Sequence, residues 1–223
     1  MREWMRKAAE ANRAYRDGAF DEAAEGYQAL LEAGARTGDV YFNLGSAHYQ
    51  AGRPGPAAWA WESAIRARPG DEEARSHLER LRAEVGARAE PRPLAHRVGA
   101  RIDGNLAGLL LLLGWTAFLA LLFLRLRRLG GRAAGFAAGL ALLVALVGGV
   151  GLGLVEAERR AGWAVILVPV EARLAPHEGA QSLLSLEEAS RVRIERREGG
   201  WALLRLGEEA RGWVPASAVA EVE

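Results

Sequence analysis

The pattern of polar and apolar positions divides the chain into three regimes. Residues 4–85 carry helical segments with apolar stripes, as in Ala74, Leu78, Leu81 and Val85. The middle holds two uninterrupted apolar runs, LAGLLLLLGWTAFLALLFL from Leu106 to Leu124 and AAGFAAGLALLVALVGGVGLGLV from Ala133 to Val155, neither with a charge. From Trp163 onward the pattern changes to short β-rich runs, WAVILVPV, SLLSL, SRVRIERR, GWALLRL and RGWVPA, separated by turn residues. At about 1.5 Å rise per residue, either apolar run covers the roughly 30 Å hydrocarbon core of a bilayer. A charge at mid-membrane costs roughly 2.5–3.5 kcal/mol, so runs this clean predict a transmembrane hairpin. A pair of buried helices would need a large soluble protein around them, which this chain does not supply.

Within the first regime, Tyr15, Gly18, Ala23 and Tyr27 recur as Tyr49, Gly52, Ala57 and Trp61, each thirty-four residues on. In the second copy Tyr41, Leu44, Gly45, Tyr49, Gly52, Ala57, Trp61, Ala64 and Pro69 follow one pattern, in YFNLGSAHYQAGRPGPAAWAWESAIRARPGD. Period and pattern resemble the tetratricopeptide family. The first copy is looser, with Ala11 for the consensus glycine and Gly34 and Gly38 closing it in place of a proline. Each copy, about 4–37 and 38–71, predicts a helical hairpin whose small residues Gly45 and Ala57 sit where the helices cross. Pro54 and Pro56 open a helix, where a missing N–H costs least. Repeat arrays need a cap, and DEEARSHLERLRAEV over 71–85 provides one, with Asp71 as N-cap. The expectation for 1–86 is therefore a five-helix solenoid with a concave groove.

The resemblance implies that this groove takes an extended or helical protein segment, lined by Asn12, Tyr15, Arg16, Phe42, Asn43, Ser46, Tyr49 and Gln50. Asn12 and Asn43 match two positions of the clamp with which some tetratricopeptide domains hold a terminal carboxylate. Ala8, Glu73 and His77 stand where that clamp needs basic residues, so it is incomplete.

Residues 87–105, with Pro91 and Pro93, read as a tether. The turn 125–132 holds Arg125, Arg127, Arg128 and Arg132 without an acid, which places it in the cytoplasm by the positive-inside rule. Arg92, Arg97, Arg101, Arg159 and Arg160 on the outer flanks reduce that bias. Two spans put both polar regions on one face, periplasmic on this reading. MREWMRKAAEANRAYRDG has no apolar stretch behind its basic residues and does not read as a signal peptide, so either a start lies upstream of Met1, the favoured reading, or the first span drives export, or both domains are cytoplasmic. Gly135 with Gly139, and Gly149 with Gly153, are small-xxx-small pairs that admit close approach by the first span or by a partner helix.

The five β-rich runs predict a small all-β barrel over 163–223. VPVEARLAP, RVRIERREGGWALLRLGEEARGWVPASAV and above all Gly212-Trp213-Val214-Pro215 resemble bacterial SH3-like domains. There is no tyrosine after Tyr49, so the tyrosine-lined proline-rich groove of eukaryotic SH3 domains is not carried over. Trp201 and Trp213 are candidates for a binding surface for protein or cell-wall peptide, or else fill the barrel core and its rim.

Composition narrows the chemistry. With 29 Lys+Arg against 28 Asp+Glu the net charge is +1, which argues against a nucleic-acid partner. The absence of cysteine removes disulfides, thiolate metal sites and cysteine nucleophiles. His48, His77, His96 and His177 are scattered without ligand spacing, no phosphate loop or nucleophile elbow appears, and Glu187 and Glu188 have no acid–base partner. No catalytic residue, metal or cofactor is expected.

Tetratricopeptide repeats, two spans and an SH3-like domain, in that order, resemble the BatE-type proteins of the Bacteroides aerotolerance group. The departures are the missing signal peptide and a low repeat number. The resemblance implies a non-enzymatic scaffold in the bacterial inner membrane, working with von Willebrand factor A-domain membrane proteins and a MoxR-type ATPase. The alternative expectation is a peptidoglycan-binding anchor.

Overall fold

The computed structural model describes residues 2–90, 94–99, 102–127, 131–207 and 210–222. Of the positions named above, Pro91, Arg92, Pro93, Arg101, Arg128 and the side chains of His96, Arg97, Arg132 and Arg159 lie outside the described residues. The chain divides into two compact units, Met1–Pro91 with Gly162–Glu223, and Arg92–Ala161.

The first unit opens with α1 (Arg2–Arg16), α2 (Phe20–Glu32), α3 (Gly38–Gln50), α4 (Pro54–Ala67) and α5 (Glu72–Val85). Consecutive helices pack as antiparallel neighbours: α1 on α2, α2 on α3, α3 on α4, α4 on α5. The equivalent turn glycines Gly18 and Gly52 have φ of +79° and +70°, a region costly to any residue with a β-carbon. Small residues set the spacing between helices, since a β-carbon on Gly45 would lie 2.6 Å from the Trp61 indole. Thr37 caps α3, and Asp71 caps α5 by accepting from the Ala74 N–H at 3.0 Å. Burial raises the Asp71 pKa, but that bond and the Arg68 guanidinium outweigh it and hold the carboxyl below its usual range.

The same unit contains seven strands: β1 (Trp163–Ile166), β2 (Val170–Arg173), β3 (Ser182–Leu186), β4 (Arg191–Glu198), β5 (Trp201–Arg205), β6 (Arg211–Pro215) and β7 (Val219–Glu221). They form one antiparallel sheet in the order β3-β2-β6-β5-β4-β1-β7. This corrects two expectations. The run WAVILVPV is two strands rather than one, because it breaks at Leu167–Pro169, where Leu167 N–H leaves the ladder for Ala218 O and Pro169 has no N–H. The sheet is also not a closed barrel, since β3 and β7 are its two edges and do not pair. Bulges at Ala172/Arg173 and Ile194/Arg196 bend it around one core, in which Ala164, Ile166, Ala172, Val192, Leu204, Val214 and Val219 are buried together.

Helices and sheet are joined by one face of α4. Gly55, Trp59, Glu62 and Arg66 recur at four-, three- and four-residue intervals, a single helical stripe. A β-carbon on Gly55 would collide with the Leu167 carbonyl. Trp59 Nε1 donates to Glu221 O at 2.6 Å, Arg66 donates to Val222 O at 3.0 Å, and Glu62 accepts from Arg191 at 3.0 Å. The stretch after α5, expected as a free tether, is pinned at its start. Arg88 N–H donates to Ser190 Oγ, Ala89 bridges Arg191, and the Arg191 guanidinium donates twice to Glu90 O.

The second unit consists of α6 (Leu94–Gly99), α7 (Gly104–Leu126) and α8 (Arg132–Arg159). Asp103 caps α7 through the N–H groups of Asn105 and Leu106. α7, and Ala133–Ala157 within α8, are long and apolar enough to cross a membrane, with a mean hydropathy of 2.4 each. Most of their large side chains, including Leu112, Trp115, Phe123, Phe136 and Val150, are exposed. The two helices pack on each other where a β-carbon on Gly114 would lie 2.5 Å from the Ala145 nitrogen, and one on Gly148 would overlap the Leu111 backbone.

Candidate partner-binding groove

The inner face of the helical layer is built from α1, α3 and α5. Asn12, Tyr15 and Arg16 share one face of α1; Phe42, Asn43, Ser46, Tyr49 and Gln50 share one face of α3; His77, Arg80 and Leu81 share one face of α5. They line two adjoining cavities of about 230 and 200 Å³ that share Tyr15 and Ser46. All eight residues read from the sequence as groove-lining lie there. Tyr27, Trp61, His77, Arg80 and Leu81 line it as well. The α5 residues were within reach of sequence reasoning, since 77, 80 and 81 are spaced for one helical face.

The floor is aromatic and fixed. The His77 ring lies 5.2 Å from Trp61 and 5.7 Å from Phe42, and Tyr49 is 5.7 Å from Trp61. Trp61 Nε1 and Ser46 Oγ both donate to Phe42 O, at 3.2 and 3.0 Å. Tyr27 Oη donates to Asn12 Oδ1 at 2.6 Å, which leaves the Asn12 amide NH₂ as a donor. Burial, then the neighbouring Tyr15, pushes the Tyr27 pKa up, so this hydroxyl stays a donor at neutral pH. Tyr49 Oη donates to Glu84 at 3.0 Å, a bond that raises its pKa and ties α3 to α5. Arg16 and Arg80 line the cavities and form no ion pair among the described residues; no carboxylate lines either one. The groove thus offers stacking surface, amides and two cations.

On the sheet, Trp201 and Trp213 lie on the face opposite the Ala202, Leu204 and Val214 core, by strand alternation and register. Trp213 is only 7% exposed and lies under the Arg196 guanidinium at 5.2 Å, while Trp201 is half-buried. Trp213 is therefore a packed residue with little area to offer a ligand.

Among the small-xxx-small glycines, a β-carbon on Gly139 or Gly153 would meet nothing within 4 Å, and one on Gly149 would make only an ordinary contact with Leu111. Gly135 approaches the Arg125 side chain. The close approach inside the hairpin is made by Gly114 and Gly148, residues outside those pairs. Among the described residues no group of three or more His, Asp or Glu is placed to hold a metal ion.

Compared with protein-family models, curated proteins and solved structures, the chain matches none.

Proposed function

We propose that the chain is a non-enzymatic, membrane-anchored scaffold that binds partner proteins through the concave tetratricopeptide-like groove and the SH3-like sheet. The observation that carries this reading is the arrangement of α7 and α8. Two long apolar helices with outward-facing apolar side chains interrupt a head whose two halves, 1–91 and 162–223, pack together. An even number of crossings returns the chain to the face it left, which that packing requires. The arginine-rich turn then lies in the cytoplasm and the head in the periplasm of a bacterial inner membrane. The module order resembles BatE-type proteins, which makes von Willebrand factor A-domain membrane proteins the expected partners.

The chain has no cysteine, so single cysteines report position cleanly. Gln50→Cys and Ser217→Cys should react with an impermeant maleimide in intact spheroplasts, and Gly131→Cys only after the membrane is opened. Labelling of positions 50 and 217 from opposite faces, or release of the protein by alkaline carbonate, would sink the reading. Copurification with a von Willebrand factor A-domain membrane protein, lost in Tyr15→Ala/Asn43→Ala, tests the groove. Retention on purified sacculi would instead favour the cell-wall anchor.

A further inference from the structure

Where the sheet docks onto α4 lies a further cavity of about 720 Å³, on residues distinct from those of the concave groove. One wall is the stripe Asp21, Glu25 and Glu32 of α2, and the apolar surface is Trp59 of α4 with Leu167 from the β1–β2 connection. The helices supply the acids and Trp59, and the sheet layer adds Leu167 and Ala220.

Its charge is one-sided. The sequence of α2, FDEAAEGYQALLE, has four acids and no base. Three of those acids line the cavity against a single arginine, Arg53. That arginine is already engaged, pairing with Asp21 and donating to His48 Nδ1 at 3.0 Å. His48 adds no positive charge at neutral pH, because burial first and Arg53 second bring its pKa down to about 4. Glu25 makes no ion pair among the described residues, and Glu32 accepts only a 3.4 Å bond from Gln28. The concave groove has the opposite sign, with Arg16 and Arg80 and no lining carboxylate.

We infer that this cavity docks a lysine- or arginine-bearing segment of a partner protein, its cations on Glu25 and Glu32 and an apolar side chain against Trp59 and Leu167. From Asp21 to Glu32 the helix rises roughly 16 Å, which matches about five residues of extended chain. The site goes beyond the scaffold reading above and stands whether or not the concave groove has a ligand.

The test uses the full chain in nonionic detergent micelles and a fluorescein-labelled five-residue peptide alternating arginine and leucine, read by anisotropy at low and moderate salt. The arginine peptide should bind. Glu25→Lys/Glu32→Lys, at exposed positions, should weaken binding about tenfold or more, as two pairs become repulsions. Arg16→Ser/Arg80→Ser should leave it unchanged, and a benzophenone on the peptide should crosslink to α2. Absence of binding, equal binding to the Glu25→Lys/Glu32→Lys protein, or equal binding of the glutamate-for-arginine peptide overturns the proposal. The concave groove and the membrane reading would survive any of these results.

Discussion

Glu62 and Arg191, 129 residues apart in sequence, meet at 3.0 Å with 1% and 14% of their side chains exposed. The same Glu62 oxygen accepts from Arg82 at 2.8 Å, and Arg82 also donates to Ala189 O. One buried carboxylate therefore ties α4, α5 and β4. Breaking such a pair from one side leaves charge in a low-dielectric site, so Glu62→Ala should cost about 3–5 kcal/mol. Glu62→Gln should cost less, since an amide oxygen still accepts. Urea unfolding of the full chain in micelles measures both, and Glu62→Ala/Arg191→Ala should recover part of the loss.

Gly55→Ala probes the same interface without touching charge. The added β-carbon has no room against the Leu167 carbonyl, and backbone at both sides means something must shift. The expected cost is about 1–3 kcal/mol, with faster protease cleavage of the 162–223 segment than in wild type. Gly70→Ala, whose β-carbon would meet nothing within 4 Å, is the matched control.

The helical half was readable because its signals are local. Turn glycines, the Asp71 cap and one-face spacing on α1 and α3 all lie within a few residues of what they determine. The α4 stripe was not readable. Trp59 and Glu62 on an outward face look like ordinary surface, and the sheet that covers them lies more than a hundred residues later. Barrel closure failed for a related reason. Five apolar runs locate most of the strands, but whether β3 meets β7 depends on bulges and on what occupies each edge.

His48 makes stability depend on pH. Its folded pKa of about 4 lies below the free value of 6.5, so between those values the unfolded chain binds the proton and the native one does not. This contribution is complete above pH 6.5 and is lost as pH falls towards 4. Discounted for partial exposure, it amounts to about 2 kcal/mol. His48→Gln should remove that much of the acid slope, compared with wild type by denaturation at pH 7 and pH 4.5.

The two glycine sets of the hairpin should separate cleanly. Gly114→Leu and Gly148→Leu force α7 and α8 apart, because their β-carbons meet backbone. Gly139→Leu and Gly153→Leu point into open space and should leave the hairpin intact. Disulfide trapping between cysteines introduced at Ala107 and Gly151, whose β-carbon would lie 3.3 Å from that of Ala107, should fail in the first pair and persist in the second.

The sheet edge at β7 is held on one side by β1 and on the other by α4, through Trp59 and Arg66. At about 5–20 residues per second, the ribosome delivers Arg191 on the order of ten seconds after Glu62, and β7 later still. During that interval the α4 stripe waits in water and the hairpin has already emerged. Synthesis therefore presents the helices first, the membrane segments second and the sheet last, so the head closes only after the hairpin has been made.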